Sequence, residues 1–119
     1  MSTKNTTTNA AENENDRLDA IQANLPTEPY SIRSFIGKTV FIRTITQYYT
    51  GLVKDVTPDN WMVLKGTAWI AVTGRFSNML VDGSLSEVEP YPADMPVFVQ
   101  IPFIVDICPW NNKLPREQK

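Results

Sequence analysis

A chain of 119 residues with 42% hydrophobic content supports one modest hydrophobic core and is too short for two. It contains no histidine and a single cysteine, which removes the commonest general base, the usual partner of a nucleophilic Ser or Cys, a structural zinc site and any internal disulfide. The net charge of −2 excludes a generally basic surface and leaves only local patches as candidate anion sites.

Residues Met1 to Asn15 are almost entirely Ser, Thr, Asn, Ala and Glu, so burial cannot offset the entropy of ordering them. Residues 1–29 are expected to be a flexible polar arm. The start has no basic, apolar leader pattern, which predicts a protein that stays in the cell that makes it. Within the arm, Asn13 to Leu25 has a helical pattern: Asn13 or Asn15 caps it, Asp16 favours its first turn and Pro26 stops it. Leu18, Ile21 and Leu25 then form a narrow apolar stripe that needs a surface to lie on, and these three are candidate interface residues.

Residues 30–119 are expected to form a single small β-barrel, SH3-like or Sm-like, giving a mainly β fold class with an N-terminal extended arm and short helix. Tyr30 to Ile36 reads as one helical turn directing Phe35 and Ile36 inward. Thr39 to Thr46 reads as the first strand, with Val40 and Ile42 on one face and Phe41 and Arg43 on the other. Tyr48 to Val56 is the second, bent at Gly51. The Pro58-Asp59-Asn60 turn leads to Trp61–Lys65, and Gly66 is expected to separate that run from Ala68–Val72. Gly74 to Leu80 reads as a short helical turn, Leu85 to Val88 as a strand, and Val97–Ile101 with Phe103–Ile107 as the last strands, broken at Pro102. Short curved strands leave edges that must be covered, either by neighbouring copies or by an arm. Tyr48, Tyr49 and Trp110 are the candidate interface aromatics of the domain.

Charge is uneven along the chain. Residues 30–77 hold Arg33, Lys38, Arg43, Lys54, Lys65 and Arg75, a candidate basic patch, whereas residues 78–106 contain acidic residues and no Lys or Arg. The patch would be the footprint of a nucleic-acid site, but the acidic segments oppose it. Gly37-Lys38-Thr39 resembles the end of a phosphate-binding loop, yet Ile32 stands where that loop needs its first glycine, and a strand follows in place of a helix. The carboxylates fall in turns or on alternating strand positions, as Glu87 and Glu89 do around Val88, and none has metal-ligand spacing. Cys108, between Ile107 and Pro109, reads as a small apolar residue. Neither a cofactor nor a bilayer-crossing segment is expected, since the charge-free run Met95–Val105 is short and carries Pro96 and Pro102.

Six strings, namely Val40–Thr44 (VFIRT), Tyr48–Gly51 (YYTG), Ala68–Ala71 followed by Thr73–Phe76 (AWIA, TGRF), Glu87–Pro90 (EVEP) and Leu114–Lys119 (LPREQK), resemble a family of small bacteriophage and prophage proteins catalogued only as a domain of unknown function. The resemblance covers about Ile36 to Lys119. It implies a phage or prophage setting and brings no active site with it. The chain departs at Val72 and at Asn111-Asn112, where the family more often carries an acidic residue and a histidine, which weakens a shared metal or acid–base role.

Two function classes are therefore expected. One is a non-enzymatic structural or assembly protein of a phage particle, its arm lying across other particle subunits or copies of itself, present in the host cytoplasm and then in the particle. The other is a soluble Sm-like nucleic-acid binder or an inhibitor of a host factor. The absence of histidine disfavours an enzyme.

Overall fold

The first strand is apolar on both faces, so it must lie at the centre of the domain. The computed structural model, which describes residues 23–119, places it there. The elements run β1 (Thr39–Thr44), β2 (Tyr48–Val56), β3 (Trp61–Val72), helix α1 (Phe76–Asp82), β4 (Glu87–Pro90), β5 (Val97–Gln100) and β6 (Ile104–Pro109). Short 3-10 turns at Ile32–Phe35 and Ile101–Phe103 precede β1 and β6. The six strands form one antiparallel sheet in the order β4-β3-β2-β1-β6, with β5 beside the first half of β3. Among the described residues no helix is long and apolar enough to cross a membrane.

The domain is mainly β, as expected, but the sheet is not a closed barrel. No strand pair joins β5 to β6 among the described residues; the 3-10 turn Ile101–Phe103 spans that gap. Pro102 inside this turn explains the break, because it has no N–H to give to a ladder.

Two cores form, one on each face of β1. Val40 and Ile42 join Val53, Val56, Met62, Leu64 and Val99 in the first, with Ile32, Phe35 and Ile36 packed against it as the sequence predicts. Phe41 joins Ala68, Ile70, Met79, Leu85, Val88 and Trp110 in the second. Strand β3 serves both. Met62 and Leu64 face the first core and Ala68 and Ile70 the second, although all four are even-numbered and a regular strand would keep them on one face.

The switch is a bulge. Leu52 pairs with Lys65 and Thr50 with Ala68, so Gly51 alone on β2 faces Gly66 and Thr67 on β3. One extra residue reverses which face every later side chain takes. Gly66 sits at φ 60°, a left-handed conformation that glycine adopts without cost. Gly66 therefore does not end the strand, as the sequence reading had it; it lets one 12-residue strand continue through a change of face.

Asn24 ties the incoming chain to the domain. Its Oδ1 accepts from Thr39 N at 2.9 Å, and its Nδ2 donates to Thr39 O at 2.9 Å and Trp110 O at 3.0 Å. Lys38 Nζ adds a bond to Ala23 O at 2.7 Å. The segment taken as arm is thus fastened to the domain from Ala23 onward. At the other terminus, Lys119 N donates to Val88 O at 3.0 Å and Val88 N to Lys119 O at 3.2 Å, so the tail covers the outer edge of β4.

Two outcomes test this account. A Cβ on Gly51 would lie 3.2 Å from Thr67 Oγ1 and 3.4 Å from Lys65 O, so Gly51→Val is expected to cost about 1–3 kcal/mol in chemical denaturation. Asn24→Ala removes the amide that satisfies Thr39 N–H, and should lower stability by about 1–3 kcal/mol in the same assay.

Candidate functional site

The β1–β2 hairpin tip, Ile45 to Gln47, divides two clefts. On one side a cleft of about 450 Å³ is bounded by Thr44–Gln47, Tyr49, Trp61, Val99, Gln100 and the exposed rings of Phe98 and Phe103. On the other a cleft of about 360 Å³ is bounded by Arg43, Tyr48, Trp69, Ile70, Ala71 and Val105. Four segments far apart in sequence converge here because β5 and β6 flank the unclosed gap and Ile45 N donates to Phe103 O at 3.1 Å.

The first cleft is aromatic and uncharged. Trp61 and Phe98 meet edge to face at 6.3 Å, which fixes both rings at the rim. Phe98 and Phe103 are each 53% exposed and Ile45 68% exposed, unusual for large apolar side chains gathered in one place. Gln47 Nε2 donates to the Tyr49 hydroxyl, and burial, with Tyr91 adding, raises the Tyr49 phenol above its ordinary value. Tyr49 is therefore neutral at physiological pH.

The second cleft is bordered by Arg43, which is paired with Asp106. Arg43 Nε donates to both Asp106 oxygens at 2.9 and 3.0 Å, and Nη2 makes a further contact to Oδ2. The pair lowers the Asp106 carboxyl through that hydrogen bonding and raises the Arg43 guanidinium. Next to it, burial first and then the Asp106 charge push the Cys108 thiol up, with Arg43 opposing. Cys108 is half-buried beside Ile107, in keeping with its apolar reading.

The candidate interface residues separate. Tyr48 and Tyr49 lie on opposite faces of β2, Tyr48 against Phe41 at 5.7 Å and Tyr49 against the first core, and each borders one of the clefts. Leu25 is 39% exposed, whereas Leu18 and Ile21 lie outside the described residues. Trp110 is a correction: it is 1% exposed, stacks on Phe41 at 6.1 Å and donates Nε1–H to Lys113 O, so it is a core residue and not an interface one. The sequence reading missed Phe98, Phe103 and Ile45. Phe98 faces outward by alternation between Val97 and Val99 on β5, whereas Ile45 and Phe103 join it only through the fold.

The six cations hold separate positions. Arg33 Nη1 donates to Val56 O at 2.6 Å, Lys38 binds Ala23 O and Arg43 binds Asp106. Lys54 is exposed beside a β2 bulge, Lys65 is half-buried on β3 and Arg75 is the N-cap of α1. Among the described residues no group of three or more acidic or cysteine side chains is placed to hold a metal ion. No family model matches the chain, and no curated protein matches it.

The thiol gives a direct test of the electrostatics beside Arg43. Alkylation of native Cys108 at neutral pH should be slower than that of an unfolded-chain cysteine, because a raised pKa means less thiolate. Asp106→Asn should speed it by removing a negative charge and freeing Arg43, as read by mass-resolved iodoacetamide labelling.

Proposed function

We propose that the protein is a non-enzymatic interaction module that serves as a structural or assembly component of a phage or prophage particle. The observation that carries the interaction part is the uncharged aromatic cleft beside the hairpin tip, where Ile45, Phe98 and Phe103 leave a large apolar area in water. Such a patch is costly to a lone soluble domain and is ordinarily covered in a complex. The particle part rests on the resemblance of the VFIRT, YYTG and LPREQK strings to small phage and prophage proteins.

The nucleic-acid alternative has less support. Arg33, Lys38 and Arg43 spend their charge on main-chain carbonyls and on Asp106, which weakens a phosphate-tracking surface.

Mass spectrometry of particles purified from a culture that encodes the chain tests the assignment. The expected outcome is the full chain in constant ratio to the major structural proteins through density-gradient purification. Its absence from purified particles, with abundant free protein in the same lysate, would overturn the particle assignment.

A further inference from the structure

Strands β4, β5 and β6 each turn an edge away from the sheet, and the three edges are handled differently. The outer edge of β4 is covered by Lys119, and β5 is four residues long between Pro96 and Pro102. Strand β6 pairs with β1 alone among the described residues. It carries no Lys or Arg, its one charge, Asp106, is held by Arg43, and Val105 and the adjoining Phe103 are 60% and 53% exposed. Of the devices that ordinarily blunt an edge, β6 has an irregularity near its start and Pro109 at its end, and none between them.

The pairing with β1 decides which main-chain groups of β6 face outward. Trp110 N donates to Thr39 O at 2.9 Å, so antiparallel alternation makes Cys108 and Asp106, opposite Phe41 and Arg43, the residues that exchange bonds with β1. A planar trans peptide points each C=O opposite to the N–H that follows it. The carbonyls of Val105, Ile107 and Pro109 and the N–H of Ile107 are therefore directed away from the sheet. Ile107 presents both a donor and an acceptor.

A free segment of another protein would have to be ordered residue by residue for these few bonds, at an entropy cost that they do not offset. An edge already built into a folded second copy pays almost none of that cost. Two β6 edges also complement one another about a two-fold axis through Ile107. Each Ile107 N–H meets the other Ile107 C=O, and each Pro109, an acceptor without a donor, lies across from the other Val105. An axis through Asp106 would instead set two carboxylates face to face. We infer that β6 pairs antiparallel with β6 of a second copy, with Ile107 on the axis, joining two sheets into one. The dimer is closed, because a ring or fibre needs a second usable edge on each chain, and the cover on β4 and the prolines beside β5 deny it. The inference depends neither on the aromatic cleft nor on the particle assignment, since it needs only the chain itself.

The test is sedimentation velocity of the full chain from low micromolar to near-millimolar concentration, with residue-resolved amide exchange at both ends of the range. A reversible monomer–dimer equilibrium is expected. The Ile107 amide should gain protection on the order of tenfold or more at the high end, whereas the Cys108 amide, which points at β1, is protected throughout. Ile107→Pro removes a donor that β1 does not use and should weaken association on the order of tenfold or more. Ile107 is half-buried, so Val105→Lys, at an exposed position, supplies a second variant and should weaken association roughly fivefold. A cooperative denaturation transition shows that each variant is folded. Phe98→Ala, in the aromatic cleft, should leave association as it is.

A chain that stays monomeric across the range would overturn the inference, as would a dimer whose Ile107 amide exchanges freely. Protection of that amide in the dilute monomer would mean that the same chain covers the edge, and association abolished by Phe98→Ala would mean that it runs through the cleft. Either result also overturns the inference. Recovery of the chain in particles decides none of these outcomes, so the dimer and the particle assignment stand or fall separately.

Discussion

The extra residue at Gly66–Thr67 is the constraint on which the rest of the structure depends. A six-stranded antiparallel sheet with one buried face would give a single layer needing a cover. By reversing the facing of β3 halfway along, the bulge turns one sheet into the wall of two cores that share β1. The first core is closed by β5 and the turn at Ile32–Phe35, and the second by α1, β4 and Trp110. Neither core is large, which gives local fasteners such as Asn24 and the Lys119–Val88 pair a disproportionate share of stability.

Edge management follows from the same arrangement. With β3 shared end to end, β4 and β5 become separate short strands on its outer side, each exposing an edge. The β4 edge is covered by the chain's own tail, with Arg116 Nη2 on Tyr91 O at 2.7 Å and Gln118 on Glu89 reinforcing it. The β5 edge is treated differently, through brevity and flanking prolines. These devices limit strand pairing but leave the rings beside that edge exposed. The apolar cleft is thus a separate feature and not a by-product of an unprotected strand.

Where the fold was legible in the sequence, local rules and tertiary packing agreed. The limits of β2, the turn before β1 and the inward Val88 all follow from alternation and turn residues, and each lies where short-range preference suffices. The irregularity expected at Gly51 falls opposite it, with the extra residue on β3. Gly66 misled because a glycine in an apolar run reads as a break, whereas a left-handed bulge residue gives the same letter. Trp110 misled because so small a core was not expected to bury another large amphipathic ring, while its burial comes from Phe41, distant in sequence. Asn24 was invisible because a polar residue in a polar segment carries no pattern until its partners at Thr39 and Trp110 are in place. The cleft was hidden for the same reason, being assembled from segments that meet only through the fold.

Neutrality is what separates the two clefts and orders the functional readings. At the cleft bordered by Arg43, the guanidinium is already paired with Asp106 in water, where an exposed pair contributes little, so a ligand seeking that charge would have to disrupt or bridge a pair already made. In the cleft holding Trp61, Phe98 and Phe103, no such internal partner competes and covering the rings is favourable from the first contact. The acidic segment 78–106 contributes Phe98 and Phe103 to this cleft without lending it a charge, because its carboxylates fall on α1, β4, the β4–β5 loop and the Arg43 pair. A strongly anionic nucleic acid therefore meets no cation among the residues that line this cleft.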